Sequence, residues 1–125
     1  NENIYRNPHD GKFAKPIFYF NPAIAPSQLI FYKGSEFPAW KNKIILSSLK
    51  PGSIYILDYD KDLERIISYE KVYIGHRIRD IGALPNGKLV CITDDQNIIL
   101  LSRSNINKIK ESDKVPFLLN NLNAN

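Results

Sequence analysis

The residues best suited to binding an anion are two arginines, Arg77 and Arg79, which are separated by a single residue. Alternate residues of a β-strand project to the same face, so their guanidinium groups are expected to lie side by side. Fixed guanidinium forks recognise carboxylates well, but the same pair could instead bind Asp80, Glu70 or an acid on an adjacent sheet. From these residues alone, the ion-pair interpretation is favoured.

A third cationic residue, Lys50, immediately precedes a Pro51-Gly52 turn. A turn lysine can supply a point charge to an anionic ligand, although exposure to solvent is the simpler interpretation. The two histidines do not indicate a general base. His9 lies in a polar turn, and His76 lies beside Arg77, where a surface or ion-pairing role is expected.

Three acidic residues, Asp58, Asp60 and Asp62, alternate as they do in an EF-hand loop. That loop requires a glycine where this chain has Leu63 and a closing glutamate where it has Tyr69, so a calcium site is not predicted here. The three carboxylates are expected to be solvated turn residues.

The single cysteine, Cys91, cannot form an internal disulfide and lies in the apolar run Leu89–Ile92. A buried, unreactive thiol is therefore predicted. The sequence contains no Gly-x-Ser-x-Gly elbow, so nothing in it indicates Ser-His-Asp or Cys-His catalysis.

The elements that position these residues are predicted to be β-strands. Between Leu29 and Ser102 the apolar residues come in short runs separated by turn residues, and no helical periodicity competes. The fourth run is longer and more polar, as expected of a strand at the outer edge of a sheet. The predicted strands form a first set at residues 28–33, 43–49, 53–59 and 65–74, and a second set at 78–84, 88–93 and 97–102.

The two sets form an internal repeat, because the runs of the first can be laid over those of the second with a period of about fifty residues. Four-stranded units of this length predict an all-β fold, an antiparallel β-propeller fragment of about two blades. We therefore expect the end of a preceding blade and a connecting segment at 1–27, a four-stranded blade at 28–76, a three-stranded incomplete blade at 77–103 and a polar C-terminal tail at 104–125.

Two further expectations concern the ends of the chain. The apolar run Pro16–Phe20 could be the last strand of the preceding blade, and residues 120–125 are expected to fray. The strand missing from the second blade, and the absence of any methionine, indicate that the chain is a piece of a longer reading frame.

The composition is that of one globular domain, with 125 residues of which 43% are hydrophobic and 24% charged. The net charge of +4 arises from Lys and Arg residues spread along the chain without a dense block, so no nucleic-acid partner is predicted. No apolar run is long enough to span a membrane, and no signal sequence opens the chain.

The sequence also resembles the C-terminal part of the glucose/sorbosone dehydrogenase family, which includes the soluble quinoprotein glucose dehydrogenases and the aldose sugar dehydrogenases. The resemblance covers roughly residues 16 to 103 and consists of strings in the family's order and spacing. The matching strings are Asn21–Ser27, Phe31–Gly34, Phe37–Trp40, Ser48–Gly52, Arg77–Asp80, and Leu84–Gly87 leading into Thr93-Asp94.

This resemblance implies a six-bladed propeller that holds pyrroloquinoline quinone (PQQ) and calcium in a cleft and oxidises the anomeric carbon of an aldose to a lactone. The positions that match the family's cofactor contacts are Lys50, Arg77 and Arg79. PQQ is a tricarboxylate quinone, so these cations suit its charge. The family's catalytic base and calcium ligands belong to preceding blades, which implies that no catalytic residue or metal ligand lies in these 125 residues.

Two positions depart from the family pattern. Ala23 stands where a hydroxyl residue is common, and Phe18 stands where some members have a cofactor-facing tyrosine, with Tyr19 beside it. Trp40 is expected to be a packing anchor between blades rather than a platform for a sugar.

The leading hypothesis is a C-terminal propeller segment of a periplasmic or secreted PQQ-dependent aldose dehydrogenase, with basic residues in the quinone cleft. The segment alone is expected to be inactive and to bind neither PQQ nor calcium tightly. Its expected partners are the remaining blades and, in the parent, an aldose. The alternatives are a non-catalytic propeller scaffold and a two-blade unit that closes a ring of copies through its open strand edges.

Overall fold

The computed structural model describes residues 16–104 and the strand at 117–122. Two antiparallel sheets of four strands follow one another along the chain. The first contains β1 (Pro26–Tyr32), β2 (Lys43–Ser48), β3 (Ser53–Asp60) and β4 (Arg65–Tyr73), with a short 3₁₀ helix at Pro38–Trp40 between β1 and β2. The second contains β5 (Ile78–Ala83), β6 (Leu89–Thr93), β7 (Ile98–Arg103) and β8 (Phe117–Leu122).

Each sheet is a meander whose spatial order is its chain order, and turn residues separate the strands. The two sheets meet along their first strands, β1 and β5. Four-stranded meanders that pack face to face in succession are the blades of a β-propeller. The structure therefore confirms the predicted all-β propeller fragment of about two blades, including the seven strands expected between residues 28 and 103.

The main core lies between the sheets because alternate residues of each strand project to the same face. The first sheet contributes Ile45, Ile54 and Ile56, and the second contributes residues such as Leu89 and Leu101, all of them buried. At about 25 cal/mol per Å² of apolar surface, this shared core is the main reason for the sheets to stay together. Neither sheet could bury these side chains alone.

Hydrogen bonds join the sheets at both ends of β1. At one end the Ser27 hydroxyl donates to the Ile78 carbonyl at 2.6 Å. At the other, the buried Tyr32 hydroxyl donates to the Gly87 carbonyl at 2.7 Å. These two bonds fix how the second sheet lies against the first.

The opposite faces of the two sheets are apolar and only partly covered. On the first sheet, Phe18 and Phe20 pack beside Tyr55 and Leu57, while Phe31 is 53% exposed. On the second sheet, the face away from the core carries alternate apolar residues of β6 and β7, including Ile92 at 47% exposed. A propeller covers such faces with neighbouring blades.

The second sheet differs from the sequence prediction in its outer strand. We expected three strands followed by a polar tail at 104–125 and a frayed end at 120–125, whereas Phe117–Leu122 forms β8 and pairs with β7. The tail interpretation is therefore corrected for these residues. The physical reason is that β7 would otherwise leave a row of backbone donors and acceptors without partners.

The segment before β1 also differs from expectation. Residues Pro16–Phe20 form no strand in the described structure, and they cross the face of the first sheet instead. The ring of Phe20 packs against Tyr55 with centroids 4.9 Å apart, and Phe18 packs against Tyr69 at 5.7 Å. Aromatic packing, rather than strand pairing, holds this run in place.

Candidate functional site

The three predicted cofactor contacts, Lys50, Arg77 and Arg79, lie at one end of the two-sheet unit. Antiparallel pairing brings the start of β1, the β2–β3 turn, the end of β4, the start of β5 and the β6–β7 turn to this end. Lys50 lies in the β2–β3 turn, Arg77 immediately precedes β5, and Arg79 lies within it. The fold thus brings the three residues to the same end, but Arg77 lines a cavity of about 330 Å³ that does not include Lys50.

The Lys50 turn packs directly against the segment that carries Arg77. The Lys50 amide donates to the Ile24 carbonyl at 3.3 Å, which fixes the turn at the start of β1. Gly52 has φ +76°, and a Cβ added to it would lie 2.6 Å from the carbonyl oxygen of His76. Only glycine allows this close approach, because it has no Cβ.

Arg77 and Arg79 share one carboxylate, that of Asp94 in the β6–β7 turn. The Arg77 Nε donates to one oxygen of Asp94 at 3.2 Å, and the Arg79 Nε donates to the other oxygen. The hydrogen bond from Arg79, together with the nearby charges, lowers the pKa of the Asp94 carboxyl below its ordinary value. The arginine side chains are 58% and 68% exposed, so a further anion can reach both of them.

Arg77 and Arg79 therefore do form ion pairs, as the alternative interpretation predicted, but their partner is a different acid. Asp80 accepts a hydrogen bond from the neighbouring Ile81 amide at 2.8 Å, and Glu70 accepts one from the Trp40 indole at 3.2 Å. Neither of the two acids named from the sequence binds the arginines. Asp94 was missed as their partner, although the Thr93-Asp94 string was the signal available in the sequence.

The next residue, Asp95, holds His76. Its carboxylate lies 3.0 Å from the His76 Nδ1 and also accepts a hydrogen bond from the Thr93 hydroxyl. The Thr93 hydroxyl, and after it His76, lowers the pKa of Asp95. His76 thus contacts an acidic side chain near the surface, which agrees with the surface or ion-pairing role expected of it, and His9 lies outside the described residues.

A cleft of about 940 Å³ lies beside Lys50. Its walls come from the segment before β1 and from the first sheet, and they include Phe18, Ala23, Tyr55 and Lys71. The two positions that depart from the family pattern, Ala23 and Phe18, thus line the same cleft as Lys50. Phe18 is also in edge contact with Phe20, with ring centroids 5.0 Å apart.

Other sequence predictions concern residues outside the cleft. Cys91 is buried, and burial raises the pKa of its thiol to about 12, which keeps it protonated and unreactive. Trp40 is buried in the core between the sheets and stacks on Phe37 with centroids 4.5 Å apart, as expected of a packing anchor.

The acidic residues at the end of β3, predicted to be turn residues, belong to the strand and have structural roles. Asp60 accepts hydrogen bonds from the Asp62 and Leu63 amides, both at 2.9 Å, and Asp58 lies 3.6 Å from the Lys43 amine. Among the described residues, no group of three or more His, Cys, Asp or Glu side chains is arranged to hold a metal ion. The same part of the chain contains no helix long and apolar enough to cross a membrane.

Comparison with protein families identifies the family of this chain. The family model described as Glucose / Sorbosone dehydrogenase matches residues 1–102. The chain belongs to the glucose/sorbosone dehydrogenase family. The match extends through both blades as far as β7, so Lys50, Arg77, Arg79 and Asp94 all lie within the region shared with this family.

Two relatives of this glucose/sorbosone dehydrogenase family chain are informative. An uncharacterized protein of Synechocystis sp., slr1608, is 36% identical over 86 residues, which are 69% of this chain and 21% of the relative. The aldose sugar dehydrogenase YliI of Escherichia coli K12 is 30% identical over 92 residues, which are 72% of this chain and 24% of the relative. The chain thus spans less than a quarter of the length of either relative.

Proposed function

We propose that this chain is the C-terminal propeller segment of a periplasmic or secreted PQQ-dependent aldose dehydrogenase. Lys50, Arg77 and Arg79 form one wall of the quinone cleft. The catalytic base and the calcium ligands belong to other blades of a six-bladed propeller, and those blades also cover the open apolar faces of the two sheets. The name of the relative YliI, an aldose sugar dehydrogenase, supports the substrate class.

The observation that carries this proposal is the placement of the three cations at one end of the unit. Arg77 and Arg79 lie side by side on a single acid, Asp94, so one carboxylate faces two guanidinium groups and a positive charge remains. The β2–β3 turn adds Lys50 at the same end. Exposed guanidinium forks and a lysine point charge are the donors that suit a ligand with three carboxylates and a quinone oxygen.

The chain's own residues would bind and orient the cofactor. PQQ, when bound, accepts the electrons released as the anomeric carbon of the sugar is oxidised. The guanidinium groups of Arg77 and Arg79 would hold its anionic groups by charge-assisted hydrogen bonds, and the Lys50 ammonium would stabilise negative charge on the reduced quinone. The binding and electrostatic roles of Lys50, Arg77 and Arg79 are therefore separate from proton transfer, which belongs to the catalytic base in another blade.

Calorimetric titration of PQQ into the full-length protein that contains this segment tests the cofactor site. Changing both Arg77 and Arg79 to Gln should weaken binding at least a hundredfold, because each charge-assisted hydrogen bond contributes about 1.5–3 kcal/mol. The matched control changes Arg65 and Arg103 to Gln, since these exposed arginines lie at the opposite end of the sheets. Equal affinities for the two double variants would disprove the assignment.

A dye-reduction assay tests the assignment of the catalytic base to other blades. The 125-residue chain, supplied with glucose, PQQ and calcium, should show no turnover above that of the same mixture without protein. Appreciable turnover would show that the base lies within this chain.

A second candidate function is a non-catalytic propeller scaffold, and the lining of the cleft favours it. Ala23 is exposed in the cleft without a hydroxyl to offer, and Phe18 is in edge contact with Phe20 and Tyr69. Absence of PQQ binding by the full-length protein would support the scaffold. Light scattering on the isolated chain tests the remaining alternative, because a closed ring of copies is incompatible with a monomer.

A further inference from the structure

We infer that Asp94 is a positioning residue, which holds Arg77 and Arg79 side by side so that their terminal N–H groups form a preassembled site for an anionic carboxylate ligand. This inference rests on the proposed function and deepens it. The family resemblance names the two arginines as cofactor contacts, whereas the structure adds the acid that orders them.

In the described part of the chain, the hydrogen bonds to Asp94 leave the terminal N–H donors of both arginines available. Each guanidinium binds Asp94 through its Nε–H, and each uses a different carboxylate oxygen. An arginine has four more N–H donors on its two terminal nitrogens, arranged in a fixed plane. Asp94 therefore sets the orientation of both planes without occupying the donors that a second carboxylate would use.

A β-bulge brings the two arginines to the same acid. Ile78 pairs with Thr93 and Asp80 pairs with Ile92, so Arg79 is an extra residue in β5 without a partner of its own in β6. Bulges bend a strand and redirect side chains, and they occur often at functional sites. In the structure, this redirection places the Arg79 Nε against Asp94.

The backbone of Asp94 is held in a well-bonded turn. The Asp94 amide donates to the Arg77 carbonyl at 2.8 Å. The Thr93 hydroxyl accepts a hydrogen bond from the Asn97 amide at 2.9 Å, and the Thr93 amide donates to the Asn97 carbonyl at 3.0 Å. The backbone position of Asp94 is thus fixed before any ligand arrives, as that of a positioning residue needs to be.

Positioning and simple electrostatics predict opposite effects when Asp94 is neutralised. Asp94→Asn removes a negative charge beside an anion site, which by Coulomb's law alone would tighten the binding of an anion. If Asp94 orders the arginines, the same change frees two flexible side chains that the ligand must then immobilise, and binding weakens. The sign of the change in affinity therefore separates the two accounts.

The experiment compares Asp94→Asn with Asp95→Asn in the full-length protein, with PQQ binding measured by calorimetry. The two variants lose the same charge at adjacent positions, but Asp95 contacts His76, Thr93 and Asn97 rather than the arginines. An asparagine at position 95 keeps one oxygen that can accept the Thr93 hydrogen bond, so the turn is retained. We expect Asp94→Asn to bind PQQ about five- to tenfold more weakly than wild type. Asp95→Asn should bind as tightly as wild type or more tightly.

A second readout follows the arginines directly. In ¹⁵N spectra of the ligand-free protein, the Nε–H signals of Arg77 and Arg79 should be slow to exchange in wild type and in Asp95→Asn. In Asp94→Asn they should move toward the values of exposed arginines. Unchanged signals, or PQQ affinity equal to or above that of wild type in Asp94→Asn, would overturn the positioning role and leave the proposed function intact. Failure of the wild type to bind PQQ would overturn both.

Discussion

The close approach of the Lys50 turn to His76 makes Gly52→Ala the most informative test of how the site is assembled. Gly52 has φ +76°, a left-handed conformation that costs a residue with a Cβ about 1–2 kcal/mol. The new Cβ would also lie 2.6 Å from the His76 oxygen and 2.9 Å from its carbonyl carbon. Both are backbone atoms, so the turn and the segment before β5 must move apart, at a further cost of about 1–3 kcal/mol.

Gly75→Ala is the matched control. Gly75 also has a positive φ, +87°, but its added Cβ would meet nothing closer than 3.7 Å. It therefore carries the conformational strain without the collision. Urea denaturation followed by circular dichroism should show that Gly52→Ala lowers the free energy of unfolding by about 1–3 kcal/mol more than Gly75→Ala does.

The same pair of variants reports on the site. In Gly52→Ala, the amide signals of His76 and Arg77 should shift in ¹H–¹⁵N spectra, because the backbone that carries Arg77 is displaced. Equal losses of stability in the two variants, with unshifted amides, would refute the conclusion that the Lys50 turn and the arginine segment are in tight contact.

Three further predictions concern buried and charged groups. Tyr32→Phe should lower the free energy of unfolding by about 1–3 kcal/mol, measured by urea denaturation, since the Gly87 carbonyl and the Phe37 amide both lose the buried hydroxyl. Cys91, whose pKa burial raises to about 12, should react with a disulfide reagent at pH 8 only as fast as the chain unfolds. The pKa of Asp94 is lowered on folding, so its stabilising contribution is complete above the ordinary value of 3.8 and is lost as pH falls through the folded-state value. Acid titration should show this loss in wild type and not in Asp94→Asn.

The strands could be read from the sequence because local signals agree with the fold. The Pro51-Gly52 and Pro85–Gly87 turns separate runs of β-branched and aromatic residues, and the structure begins a strand soon after each of these turns, at Ser53 and Leu89. The repeat between the two blades was visible for the same reason. Each blade needs the same alternation of apolar residues to pack against its neighbour.

Two parts of the structure could not be read in this way. The strand β8, Phe117–Leu122, contains two adjacent asparagines, so its pattern resembles that of a polar tail. Its strand character depends on pairing with β7, which is a tertiary effect. The contact of Arg79 with Asp94 depends on a bulge. The buried Ile78 and Ile81 are three residues apart, which breaks the alternation of a regular strand but does not say which residue is the extra one.

The two hydrogen bonds between the sheets also bear on how accurately a propeller can close. The Ser27 and Tyr32 hydroxyls anchor opposite ends of β1 to the second sheet, so together they fix the line along which the two sheets meet, and the core between the sheets sets the angle between them. In a closed propeller, the angles between successive blades must add up to a full turn. A small change in one of these angles must therefore be compensated at the other interfaces between blades. Loss of either hydroxyl would therefore weaken the packing between blades throughout the ring. The effect would be smallest in an isolated pair of blades and largest in the closed ring.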